Sequence, residues 1–223
     1  MVGVQAAPDH PPGTDEEQAY YATSRRVYGS WFASIYEAIT APVRYLRRRV
    51  ARFARIGPGM RVLDVATGTG AQARAFADAG ADVVGIDLSP RMLAIARRKS
   101  HGSPIEYVEG DATALPQPNA WFDAASVSFA LHEMPGPIRA KVMAELARVT
   151  RPSGTIVIVD YARPRNRLWR FILEHVIALF ERAPYREFLR SDLHELLARS
   201  GIAVVAEHTA ILGAARVVIG ARA

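Results

Sequence analysis

From Arg61 onward, short apolar runs alternate with stretches of helical periodicity. The runs are "RVLDV", "DVVGID", "IEYVEG", "FDAASVSFA", "TIVIVDY", "IAVVAEHTAI" and "AARVVIGAR". Rich in Val, Ile and Ala and too short for helices, they predict seven strands. Between them, Ser89 caps a helix that runs to Arg98, with Pro90 at its first position. Pro135 to Val149 also reads as helix, as does "SDLHELLARSG", with Ser191 as N-cap and Gly201 just past the end. Strand–helix alternation predicts an α/β fold, a doubly wound, mostly parallel seven-stranded sheet. The last two runs are joined by a short turn around Gly213, so they pair antiparallel and add an antiparallel C-terminal strand.

Residues 16–55 follow a different pattern. Glu16 to Ala54 is helical, broken near Pro42, and Tyr28, Trp31, Phe32, Ile35 and Ile39 recur at amphipathic spacing. We read 16–55 as an N-terminal helical cover, preceded by a disordered tail at 1–15 that holds Pro8, Pro11, Pro12 and Gly13. The main domain spans 56–223, with a helical insertion at 163–190 built around "RLWRFILEHVIALFER". That helix is too polar and too short to span a membrane.

Composition removes several chemistries. With no cysteine, the chain has no disulfide, thiolate metal site or cysteine nucleophile, and no metal site is assigned. The net charge of +6 is carried almost wholly by arginine, since Lys99 and Lys141 are the only lysines. In the densest basic stretch, "RYLRRRVARFAR", the arginines spread around the helical wheel and form no stripe, so nucleic acid is not an expected partner. Peripheral membrane contact and a homodimer stay open, and the expected location is the cytoplasm.

Ligands of doubly wound sheets lie beyond the carboxyl ends of the strands. There the chain places "VLDVATGTGAQA", whose Gly68, Gly70 and Ala73 fit the dinucleotide spacing G-x-G-x-x-G/A. It also places three acids at successive strand ends, Asp64, Asp87 and Asp111. Converging carboxylates repel a diphosphate and suit a cation. Asp87 can accept from both hydroxyls of an unphosphorylated ribose, and Asp111 with the Ala112 N–H can read an adenine edge.

These segments, with "GIDLS", "EGDATALP", "FDAASVSFALHEM" and "RPSGTIVIVDY", resemble the successive motifs of class I S-adenosylmethionine-dependent methyltransferases. The ubiquinone/menaquinone C-methyltransferase-like branch is the nearest group, and the resemblance covers Arg61 to Ala223. It implies S-adenosylmethionine as cofactor and a small, partly apolar methyl acceptor. By position, Asp64, Ala66, Thr67, Gly68, Thr69 and Gly70 lie against the methionine part. Asp87 takes the ribose, Leu88 and Met92 flank the adenine, Asp111 and Ala112 read its edge, and Ser128 lies near the methionine. His132 is the candidate general base, with Glu133 as its neighbour and alternative; Tyr28, His132, Tyr161 and Tyr185 are expected to line the acceptor pocket. Two positions depart from the pattern. Ser153 replaces a common glycine, and "LHEM" stands where the quinone enzymes usually have an Arg-Asn pair, so a quinone acceptor is not carried over. An RNA-directed methyltransferase, a binding protein without turnover and an NAD-dependent oxidoreductase are the rival readings.

Overall fold

The computed structural model describes residues 14–26, 43–164, 166 and 183–223. Tyr28, most of the proposed tail and the helix of the insertion lie outside them. The seven expected strands are β1 (Arg61–Val65), β2 (Asp82–Asp87), β3 (Ile105–Glu109), β4 (Phe122–Ser128), β5 (Thr150–Tyr161), β6 (Ile202–Ala210) and β7 (Ala215–Arg222). They form one sheet in the order β3-β2-β1-β4-β5-β7-β6. β1 to β5 pair in parallel, and β7 runs antiparallel to both β5 and β6. Strand order reverses between β1 and β4, and that switch point is where such sheets open a crevice.

Among the described residues, seven α-helices surround the sheet: α1 (Asp15–Arg26), α2 (Val43–Phe53), α3 (Ala71–Ala77), α4 (Pro90–Lys99), α5 (Gly136–Val149), α6 (Ala183–Arg190) and α7 (Leu193–Arg199). Side chains alternate along each strand and feed two cores. Leu63, Val65, Val127 and Ile158 pack with Ile138, Met143 and Leu146 of α5 and with Phe188 and Leu197. Val62, Val83, Val157 and Val217 pack on the other face with Leu46, Val50, Phe76 and Leu93. Period-2 burial on both faces is why the strands read as near-continuous apolar runs.

Two local expectations change. The N-cap of α7 is Asp192, whose carboxylate accepts from the N–H groups of His194 and Glu195; Ser191 instead donates its hydroxyl to the Phe188 carbonyl and closes α6. β5 begins at Thr150, ahead of the "PSG" turn, because the register slips between Phe122 and Ala124 and lets Thr150 pair with Phe122. A Cβ at Gly154 would lie 2.7 Å from the Asp123 carbonyl, so this bulge needs glycine. The Ser89 cap is as expected, accepting from the Met92 N–H at 3.4 Å.

Candidate functional site

A crevice of about 1070 Å³, counted to its mouth, opens at the carboxyl ends of β1, β2 and β4. Its walls include Asp64, Ala66, Thr67, Gly68, Thr69, Asp87, Leu88, Met92, Asp111, Ala112 and Ser128. The strand ends thus bring together nearly all the residues expected to meet a cofactor. Gly70 is the exception. It turns left-handed at φ 74 to start α3, and a Cβ there would lie 2.1 Å from the Tyr107 hydroxyl. The second glycine of the motif serves packing, whereas Gly68, at φ 56, has only the Met92 methyl within 4 Å of its would-be Cβ.

The three acids differ. Asp64 is buried, and its two oxygens accept from the Thr67 and Ser126 hydroxyls, both at 2.6 Å. Burial pushes its carboxyl up to about 6, against the pull of those two hydrogen bonds and of Arg47. Asp87 ties the glycine loop to the β2–α4 turn, accepting from Gly68 N at 2.7 Å and Ser89 N at 2.9 Å. Burial raises it as well, and the two N–H groups oppose the rise. Asp111 accepts from Thr113 N at 2.8 Å and is 4% exposed.

Two non-glycine residues at the crevice adopt left-handed backbone, Ala66 at φ 51 after β1 and Phe129 at φ 52 after β4. Such conformations cost about 1–3 kcal/mol and gather at functional sites. Here they are held by bonds from the chain, since Thr67 N donates to the Ile86 carbonyl and Phe129 N to the Val159 carbonyl.

His132 stands behind this wall. It sits in a 3₁₀ turn, Leu131–Glu133, and is 3% exposed, with its Nδ1 2.7 Å from Asp160 Oδ1. Asp160 is fully buried and also accepts from Leu131 N and Tyr161 N. A carboxylate beside Nδ1 keeps the ring proton there and leaves Nε2 as the basic nitrogen. Nε2 lies 4.0 Å from the Glu133 carboxylate, and Glu133 does line the crevice. Tyr161 and Tyr185 pack edge-on against the His132 ring at 4.6 and 6.0 Å, so both cluster with it, outside the crevice lining.

Sequence reasoning missed Asp160 as the partner of His132. It also missed Arg47, the only basic side chain among the described residues lining the crevice. A signal existed: Arg47 adjoins Leu46 and lies three before Val50, and both of these are buried. Tyr20 of α1 lines the crevice too, and Tyr21 meets the Thr113 hydroxyl at 3.4 Å, so α1 reaches the site.

A nucleoside bearing a cationic amino-acid tail fits these walls. Oγ of Ser128 is buried at the crevice with no hydrogen-bond partner among the described residues. The backbone at Gly68 is open to close approach, and acids stand at three strand ends.

Comparison with known proteins agrees. Residues 62–154 match the family described as methyltransferase domain. An uncharacterized methyltransferase of Synechocystis sp. is 37% identical over 163 residues, which cover 73% of this chain and 76% of that protein. The demethylmenaquinone methyltransferase of Renibacterium salmoninarum is 43% identical over 118 residues, or 53% of this chain. Those residues are 48% of that relative, so the chain spans about half the length of the demethylmenaquinone methyltransferases it matches. The fold is that of an S-adenosylmethionine-dependent methyltransferase from Aquifex aeolicus, with a TM-score of 0.66, 21% identity and coverage of 86% and 98% of the two chains.

Proposed function

The chain belongs to the S-adenosylmethionine-dependent methyltransferases, and from that premise we propose that it transfers a methyl group to a small, partly apolar acceptor carrying an ionisable group. When bound, S-adenosylmethionine supplies a methyl group on a sulfonium, already activated for in-line displacement. The chain's own work is to bind, orient and exclude water. In this reading Asp87 takes the ribose hydroxyls with the lone pairs its two backbone bonds leave free. Asp111 and Ala112 take the adenine edge, and Leu88 and Met92 flank the ring. Thr67, Gly68, Thr69 and Ser128 face the amino-acid tail, Arg47 faces its carboxylate, and Asp64 lies on the cationic side. The observation that carries this reading is the convergence of these residues on one crevice at the switch point.

His132 takes the acceptor's proton on Nε2, with Asp160 steadying the imidazolium that results. Tyr161 and Tyr185 border that ring. The relatives named demethylmenaquinone methyltransferase put a quinol first in an acceptor screen, while the "LHEM" departure puts phenols and small acids beside it. The reading includes a cytoplasmic location and no nucleic-acid partner. It leaves a homodimer open.

Methyl transfer screened against quinols, phenols and small acids tests the proposal, with His132→Asn and Glu133→Gln run on whichever acceptor turns over. We expect His132→Asn to lower kcat by about 10²–10⁴ and to remove the rising limb of the pH profile. A larger loss from Glu133→Gln would move the base to Glu133. Unchanged turnover in His132→Asn would end its role as base.

A further inference from the structure

The basic stretch of α2 and the turn between β6 and β7 meet at the surface, and the cofactor site uses neither apart from Arg47. The turn, Ile211–Gly213, emerges where Tyr161 pairs with Ala215, at the carboxyl end of β5. It is therefore at the end of the sheet where the crevice opens. The turn is unusual: Ile211 and Leu212, both apolar, adopt left-handed backbone, φ 49 and 52. Leu212 is 85% exposed and Ile211 41%. A β-branched residue at positive φ is rare, and two apolar residues held outward this way run against both backbone preference and burial.

Arg49 lines the same shallow depression as Ile211 and Leu212. Its guanidinium lies 6.0 Å from the ring centre of Tyr45, which is 66% exposed, and 5.2 Å from that of Phe53. Phe53 in turn stacks on His208 of β6 at 3.8 Å, which fixes the helix against the strand that leads into the turn. Around this contact α2 carries five arginines and no acid, with Arg48 and Arg52 exposed, and exposed Arg55 follows it.

We propose that Tyr45, Arg49, Ile211 and Leu212 form a docking face for an anionic lipid bilayer. Aliphatic side chains enter the acyl boundary, an aromatic ring sits at headgroup level, and the arginines pair with lipid phosphates. One apolar anchor binds a bilayer weakly, and a second, electrostatic signal is what makes such contact stable. Charge complementarity selects the occupant, because an acid-free arginine helix beside an apolar tip fits an anionic surface. Docked this way, the end of the sheet that holds the crevice faces the lipid. No helix among the described residues is long and apolar enough to cross a membrane.

Co-sedimentation of the full chain with phosphatidylcholine vesicles, with and without phosphatidylglycerol, tests this. Binding is expected on the anionic vesicles only and falls as salt rises. Leu212→Asp and Arg49→Glu should each lower partitioning about tenfold while keeping the thermal shift given by S-adenosylhomocysteine, which shows that the fold and cofactor site persist. Equal partitioning of Leu212→Asp and the unaltered chain would overturn the proposal. So would binding that ignores lipid charge, or a chain that binds no vesicle but dimerises through Leu212. The vesicle result does not depend on methyl transfer, so the two readings fail separately.

Discussion

At the scale of single residues, the pH response of the crevice turns on Asp64, whose buried carboxyl is pushed up to about 6. Asp64 and Asp111 could be placed at strand ends from the apolar runs alone, because a strand fixes where its last side chain goes. That Asp64 would be buried, and so pushed up to about 6 against the pull of the Thr67 and Ser126 hydroxyls, depends on packing between strands distant in sequence, which no local pattern reveals. Its raised value means that the stability it lends the empty protein is present at low pH and lost as the pH rises through about 6. A bound cation reverses this preference, since it favours the ionised acid. Affinity for S-adenosylmethionine should then climb about tenfold from about pH 5 to about pH 7 and level off. Titration calorimetry across that range checks it: Asp64→Asn should be flat, and a flat profile for the unaltered chain would remove Asp64 from the cationic side. Arg47 was hidden for another reason. Arginines all around α2 give no stripe, and only packing of Leu46 and Val50 on the core decides which one turns inward. Arg47→Ala should weaken S-adenosylhomocysteine about ten- to hundredfold and leave methylthioadenosine, which has no carboxylate, unchanged. Equal losses for both ligands would deny it the carboxylate.

At the scale of elements, strands were easier than their connections. Runs of Val, Ile and Ala buried on both faces leave little freedom, and all seven appeared with their order of pairing in keeping with a doubly wound sheet. Helix starts were harder. Ser191 and Asp192 are both good caps, and the choice fell to Asp192 because Ser191 is taken by α6 and by Arg139, which donates to it at 3.2 Å. The glycine loop carries a clear test. Gly70→Ala forces a left-handed alanine against Tyr107, so it should cost about 2–4 kcal/mol of stability and be read as a lowered midpoint in urea. Gly68→Ala meets no such wall and should chiefly weaken cofactor binding. The two variants separate packing from ligand approach within one motif. α1 reaches the crevice through Tyr20 and is pinned to α5 by the Glu17–Lys141 ion pair at 3.1 Å. Removing residues 1–40 should therefore weaken S-adenosylhomocysteine several-fold, and unchanged affinity would show that the cover takes no part.

At the scale of the molecule, composition could exclude cysteine chemistry but could not say what the arginines do. The structure divides them: Arg47 turns into the crevice, Arg139 is buried against Glu187 and Ser191, and Arg49 faces the exposed apolar turn. The glycine spacing suits two cofactor classes, and the acids around it are what distinguish them. Titration calorimetry of the full chain with S-adenosylmethionine and with NAD, repeated on Asp87→Ala, tests that distinction most directly. The account predicts one site for S-adenosylmethionine, weakened at least about tenfold in Asp87→Ala, and no heat from NAD. Binding of NAD at the same site, or S-adenosylmethionine affinity indifferent to Asp87, would contradict it.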